Sequence, residues 1–170
     1  MRLILIVAAL LLGLARPAVA QSDFLNPDRL YEMAGTALAA AIRTAHDTAL
    51  QNGAQPMPDA IKAKLKGVFP DEVLNKVTFT VGGQDSMIAQ AFSYGDVLAI
   101  TFIDTVVFRQ ADAAQTDDAL WAHELTHVMQ YDRWGVDEFA RRYARDYKAV
   151  EDEAYGFQHQ YERKRDSLKR

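Results

Sequence analysis

One five-residue run constrains this chain more than any other feature: His123-Glu124-Leu125-Thr126-His127. Four residues make close to one turn of an α-helix, so two histidines at that spacing leave the same face and can share a metal ion. Glu124 stands about 100° round from His123, beside the pair, where its carboxylate can act on a water held there. The surroundings read as a helix. Thr116 is the expected N-cap, and Asp117 and Asp118 put negative charge into the first turn, where the helix dipole favours it. No Gly or Pro interrupts before Gln130, and Trp134-Gly135 offers the natural exit. Trp121, Leu125, Val128 and Met129 gather on one side and His123, Glu124 and His127 on the other.

A catalytic metal site needs a third protein ligand. The chain has no cysteine, and its two remaining histidines are His46 and His159. His46 falls late in a helix and reads as a surface residue. Carboxylates are the better supply. A second long helix is predicted from Val136 to about Arg165, with Phe139, Tyr143, Val150, Ala154, Phe157 and Tyr161 as its apolar stripe. Glu151 and Glu153 flank that stripe on opposite sides, and helical geometry leaves the choice between them open.

The rest of the chain supplies a frame. Asn26-Pro27 reads as N-cap and first residue of a helix to about Leu50, which Asn52-Gly53 stops. Leu30, Met33, Leu38, Ala41 and Ile42 are among its apolar residues. Pro58-Asp59 starts a short helix with Ile61 and Leu65 facing in, and Pro70 marks a turn or a further short helix. Val77, Phe79 and Val81 then alternate with Thr78 and Thr80, which predicts a strand closed by Gly82-Gly83. The apolar runs 87–93 and 97–103 are read as two strands joined by a hairpin turn at Tyr94-Gly95-Asp96, the second of them buried on both faces. Val106-Val107-Phe108 would add a short or edge strand. The expectation is an α+β fold in which a small antiparallel or mixed sheet packs against the His-Glu-x-x-His helix and the long helix after it.

Residues 1–20 are expected to be a signal peptide. Arg2 gives a positive start, Leu3 to Leu14 is apolar but short for a membrane span, and Ala18-Val19-Ala20 has the form of a cleavage site. Residues 21–170 would then form one domain, periplasmic or extracellular, with no stable membrane anchor, and residues 21–26 would be mobile. The formal net charge is −4, and losing Arg2 and Arg16 with the leader makes it −6. That balance argues against nucleic acid as a general partner. Oligomeric state is not legible.

The chain resembles the eCIS core domain, a zincin-like domain of unknown function often encoded beside extracellular contractile injection systems. The resemblance runs from Pro56 to Tyr131, with an echo at Glu151 to Ala154. It rests on Pro56-Met57-Pro58-Asp59, on Val77-Thr78-Phe79, on Ala89-Gln90-Ala91-Phe92-Ser93-Tyr94-Gly95 with the apolar run after it, and on Leu120 to Gln130. The family usually has Gln-Gln where this chain has Gln130-Tyr131. Its downstream Glu-x-Glu-Ala-Asp reads here Glu151-Asp152-Glu153-Ala154-Tyr155, so Tyr155 replaces an Asp that in related Glu-ligand zinc peptidases orients a ligand histidine. Carried over by position, the resemblance implies Zn²⁺ held by His123, His127 and Glu151, with Glu153 the alternative ligand, and Glu124 as general base. Tyr155, Tyr131 and His159 are the candidates to support the ligands or to donate to a developing oxyanion. The function expected is zinc-dependent hydrolysis of a peptide or protein. The alternative is a metal-binding module without turnover, associated with secretion or envelope systems.

Overall fold

The computed structural model describes residues 26–82, 86–93 and 97–168. The expected leader, its cleavage site, residues 21–25 of the segment 21–26 expected to be mobile, Gly83 and the turn at 94–96 lie outside them. The chain folds as α+β. Helix α1 (Pro27–Gln51) precedes a two-residue strand β1 (Gln55–Pro56), helices α2 (Asp59–Leu65) and α3 (Asp71–Lys76), and strand β2 (Thr78–Val81). Helix α4 (Ser86–Ser93), strands β3 (Ala99–Phe102) and β4 (Thr105–Phe108), helix α5 (Ala111–Thr116) and the long helical run α6 (Asp118–Ser167) complete it. Among these elements no helix is long and apolar enough to cross a membrane.

Helix α1 begins as its sequence dictates. Asn26 accepts a hydrogen bond from the Asp28 amide through its side chain, Pro27 follows, and Gly53 adopts φ 83° just past the end. Its buried face is Ala34, Gly35, Ala39, Ile42, Ala45 and Ala49, whereas the larger Leu30 and Met33 are exposed. Small residues let α6 come close: a Cβ at Gly35 would lie 2.9 Å from Arg141 Cα, so only glycine fits without displacing backbone.

The four-stranded sheet has the order β1-β2-β4-β3 and is mixed, with β2 parallel to β4 and the other two pairs antiparallel. Several expectations are corrected by this sheet. The run 86–93 is a helix, because Ile88 and Phe92, both buried, recur at the helical interval of four. The hairpin therefore falls one element later, at β3–β4, where Ile103 takes φ 61° in a tight turn. The segment 105–108 is not an edge but a central strand with all four residues buried. Strands β1 and β3 are the edges, and β3, expected to be buried on both faces, alternates buried with half-buried residues.

One sheet face meets the start of α6. Trp121, fully buried, packs against Phe79 and Phe108 at ring-centroid distances of 5.8 and 4.7 Å, with Leu125 and Val128 continuing the contact. The other face carries Val107, Ile100 and Phe102 against Ala45 and Ala49 of α1 and against α4.

Helix α6 starts one residue later than expected. Asp117 is the N-cap and accepts from the Leu120 amide, while Thr116 ends α5 and donates to the Asp112 carbonyl. Asp118 is buried, accepting from the Tyr161 hydroxyl at 2.6 Å and from Arg165 at 3.1 Å, with Lys64 close by. Burial pushes its carboxyl up, but the Tyr161 hydrogen bond and the Lys64 and Arg165 charges win and hold it below its ordinary value. A lowered pKa contributes stability above the unfolded value of about 3.9, and that stability is lost as pH falls through the folded value. Asp118→Asn should therefore destabilise the protein by about 1–3 kcal/mol at pH 7. The gap from wild type should narrow on acidification below about pH 4, as read by urea titrations across pH.

Candidate metal centre

The α6 run is broken twice. Gly135 has φ 73° and ψ 165°, the predicted exit from the first segment, and Asp146 has φ −152° and ψ 74°. Asp146 also accepts from the Ala149 amide through its side chain, so it caps the third segment as it ends the second. The expected single helix from Val136 is thus two pieces, with the break inside the seven-residue gap between Tyr143 and Val150. That break builds the site. In a straight helix Tyr143 and Glu151 would be separated by a rise of about 12 Å. Here the Tyr143 hydroxyl donates to Glu151 Oε1 at 2.8 Å.

The first segment brings His123 and His127, and the third brings Glu151. The two Nε2 atoms are 3.2 Å apart, and Glu151 Oε2 lies 3.3 Å from His123 Nε2 and 3.7 Å from His127 Nε2. These three residues form a group that could hold a metal ion. Three corners of a tetrahedron with metal–ligand bonds of about 2.0–2.1 Å are spaced about 3.3 Å apart, so the donor set has the right size. Both histidines are buried, and the Glu151 side chain, 21 % exposed, opens to solvent. The histidine face of the first segment is therefore covered as well as its apolar face. Burial raises the Glu151 carboxyl, but the two imidazoles, the His127 charge and Tyr143 bring it well below its ordinary value. Burial lowers His127, and Glu151, Glu124 and Gln130 together more than restore it. A carboxylate this firmly anionic between two imidazole nitrogens is the electrostatic arrangement that a cation satisfies.

Glu124 is buried beside the group, and Thr101 of β3 donates to its Oε2 at 2.7 Å. Glu153 is not in the group: it accepts from Gln130 at 2.9 Å and pairs with Arg133 at 2.8 Å. Tyr155 is half exposed, its ring 4.5 Å from that of His123. His123 Nδ1 is buried and finds no hydrogen-bond partner among the described residues. Burial first, then Glu151 and Glu124, hold the Tyr155 phenol above its ordinary value, so it keeps its proton. Tyr131 is buried, stacked on Phe139, with its hydroxyl directed to the Thr101 carbonyl at 3.4 Å. His159 is exposed and pairs with Glu162. His46, expected on the surface, is largely covered and pairs with Asp104 at 2.8 Å, away from the group.

Three residues around the site were not foreseen in their roles: Thr101, Tyr143 and Gln130. Thr101 was the lone polar residue in an apolar strand, which is a signal for a buried partner. Tyr143 read as part of an apolar stripe. Gln130 is fully buried at the end of the histidine segment.

Together these features define an α+β protein with a His-Glu-x-x-His helix and a glutamate brought to it across a helix break. Residues 56–135 match the family model described as the eCIS core domain. The matched segment contains His123, Glu124 and His127 and ends at Gly135, so Glu151 lies beyond it. Comparison with curated proteins and with solved structures gives no match.

Proposed function

We propose that the protein is an exported zinc-dependent peptidase with a zincin-like site. The observation that supports this best is the convergence of His123, His127 and Glu151 within bonding distance of one ion, with the Glu124 carboxylate buried beside them. Nitrogen and oxygen donors of this kind suit zinc. When bound, the ion would supply Lewis acidity and lower the pKa of water toward about 7. Glu124, oriented by Thr101, takes the proton of the attacking water on its carboxylate and passes it to the leaving amine. Tyr155, protonated and beside His123, is the best placed of the three candidate donors for the developing oxyanion. Tyr131 is committed to Thr101, and His159 to Glu162.

Strand β3 offers a place for an extended peptide. The Arg109 amide donates to the Leu98 carbonyl, so by antiparallel alternation the backbone groups of Ala99 and Thr101 point away from β4. A peptide adding there would lie beside the strand that holds Glu124.

A second reading, a metal-binding module without turnover, is favoured by His123 Nδ1, which has no acceptor among the described residues, and by Tyr155, which stands where the family pattern has an Asp. Loss of such a support typically weakens affinity or activity by about 10–100-fold. Elemental analysis of the purified protein, followed by hydrolysis assays on unfolded protein substrates, separates the readings. Bound zinc with cleavage supports the peptidase, bound zinc with an inert substrate panel supports the module, and no zinc refutes both.

A further inference from the structure

We infer that Gln130 is a positioning residue that fixes which nitrogen of His127 faces the metal group and ties that histidine to the segment carrying Glu151; this rests on the metal-site reading above. The Gln130 side chain is fully buried and makes three contacts: its amide nitrogen lies 3.0 Å from the Val150 carbonyl and 2.9 Å from Glu153 Oε2, and its oxygen lies 2.8 Å from His127 Nδ1. The orientation of the amide is dictated by its neighbours. A peptide carbonyl and a carboxylate accept and never donate, so the NH₂ end must face Val150 and Glu153. The oxygen therefore faces His127, and an oxygen can only accept. His127 Nδ1 must carry a proton, which in the neutral ring leaves the lone pair on Nε2, the atom 3.7 Å from Glu151 Oε2.

The polarity of the chain is set from the surface. Arg133 donates both to Glu153 Oε1 at 2.8 Å and to Glu153 Oε2 at 2.9 Å, which holds that carboxylate as an acceptor for Gln130. Glu153, flanking the stripe as Glu151 does, thus serves the site indirectly. The bond to the Val150 carbonyl has a second consequence. It fastens the residue next to Glu151 to the residue three after His127, across two helix breaks. One side chain thereby sets the tautomer of one ligand and the distance to another.

The test is ¹⁵N-edited NMR of the histidine rings, recorded at alkaline pH where a single ring proton remains, together with zinc titration against a chromophoric chelator. In the zinc-free wild type the His127 proton should reside on Nδ1. Gln130→Met should lose that single-tautomer signature and raise the zinc Kd about 10–100-fold. Gln130→Glu keeps an acceptor for Nδ1–H but loses the donors to Val150 and to Glu153, so it should retain the Nδ1 tautomer while also weakening zinc binding. A wild-type proton on Nε2 would overturn the inference, as would a Gln130→Met protein that folds and binds zinc as tightly as wild type. The wild-type spectrum alone decides the tautomer should Gln130→Met fail to fold. If Nδ1 carries the proton yet the wild type binds no zinc, the Gln130–His127 hydrogen bond stands and the metal-site reading fails.

Discussion

Glu124→Gln should keep its fold and its zinc while losing peptide hydrolysis by about 10²–10⁴-fold, the usual contribution of a positioned general base. The substitution preserves size, and an amide oxygen can still accept from Thr101 Oγ1, now 2.7 Å from the carboxylate. The three residues of the metal group are untouched. What disappears is an oxygen basic enough to take a proton from water and return it to the leaving amine. The measurement is kcat/KM on an unfolded protein substrate beside zinc content on the same preparation. Wild-type turnover in a zinc-replete Glu124→Gln protein would remove Glu124 from its role and with it the proton path proposed above.

Trp121→Ala should cost about 3–5 kcal/mol of folding stability, the range for deleting a large aromatic from a packed core. Native domains hold only about 5–15 kcal/mol, so this one change consumes a large part of it. Trp121 is fully buried between Phe79 and Phe108, and its indole nitrogen donates to the Ala114 carbonyl at 2.8 Å. Removing it opens a cavity where α6 meets the sheet and leaves a buried carbonyl without its donor. Because His123 and Glu124 follow within one turn, the same cavity loosens the platform of the site. Urea denaturation followed by circular dichroism reads the loss. A cost below about 1 kcal/mol would mean that the sheet does not depend on this contact.

The legible parts of the fold were those where local chemistry and tertiary packing agree. Asn26-Pro27, Gly53 and Gly135 act as the caps and exits their residue types predict. The histidine helix, the β2 strand and the stripe from Phe139 to Tyr161 follow from periodicity. The segment 86–93 was misread because a short apolar run has no period long enough to separate strand from helix, and its Ile88–Phe92 pair was the discriminating interval. Strand β4 looked like an edge because three apolar residues say nothing about what lies on either side. The break at Asp146 was hidden because Asp is tolerated on a helix surface, and only its capping bond to Ala149 shows that it starts a segment.

At the site, the histidine pair and Glu124 were plain from spacing, whereas the choice between Glu151 and Glu153 was open on helical geometry and closed in favour of Glu151 only by resemblance. The structure places Glu151 against the imidazoles and Glu153 against Gln130 and Arg133. Helical angles could not make that separation, since both residues flank one stripe and the Asp146 break re-aims the segment. Gln130 and Tyr143 act through contacts 20 and 8 residues away in sequence, which no local pattern encodes.

The most direct measurement is zinc stoichiometry and affinity in the wild type, His127→Ala, Glu151→Ala and Glu153→Ala. One zinc per chain is expected in the wild type, with binding abolished in His127→Ala and Glu151→Ala and weakened but retained in Glu153→Ala, which removes only an acceptor of Gln130. Zinc held equally well without Glu151, or no zinc in the wild type at all, would contradict the three-residue metal centre.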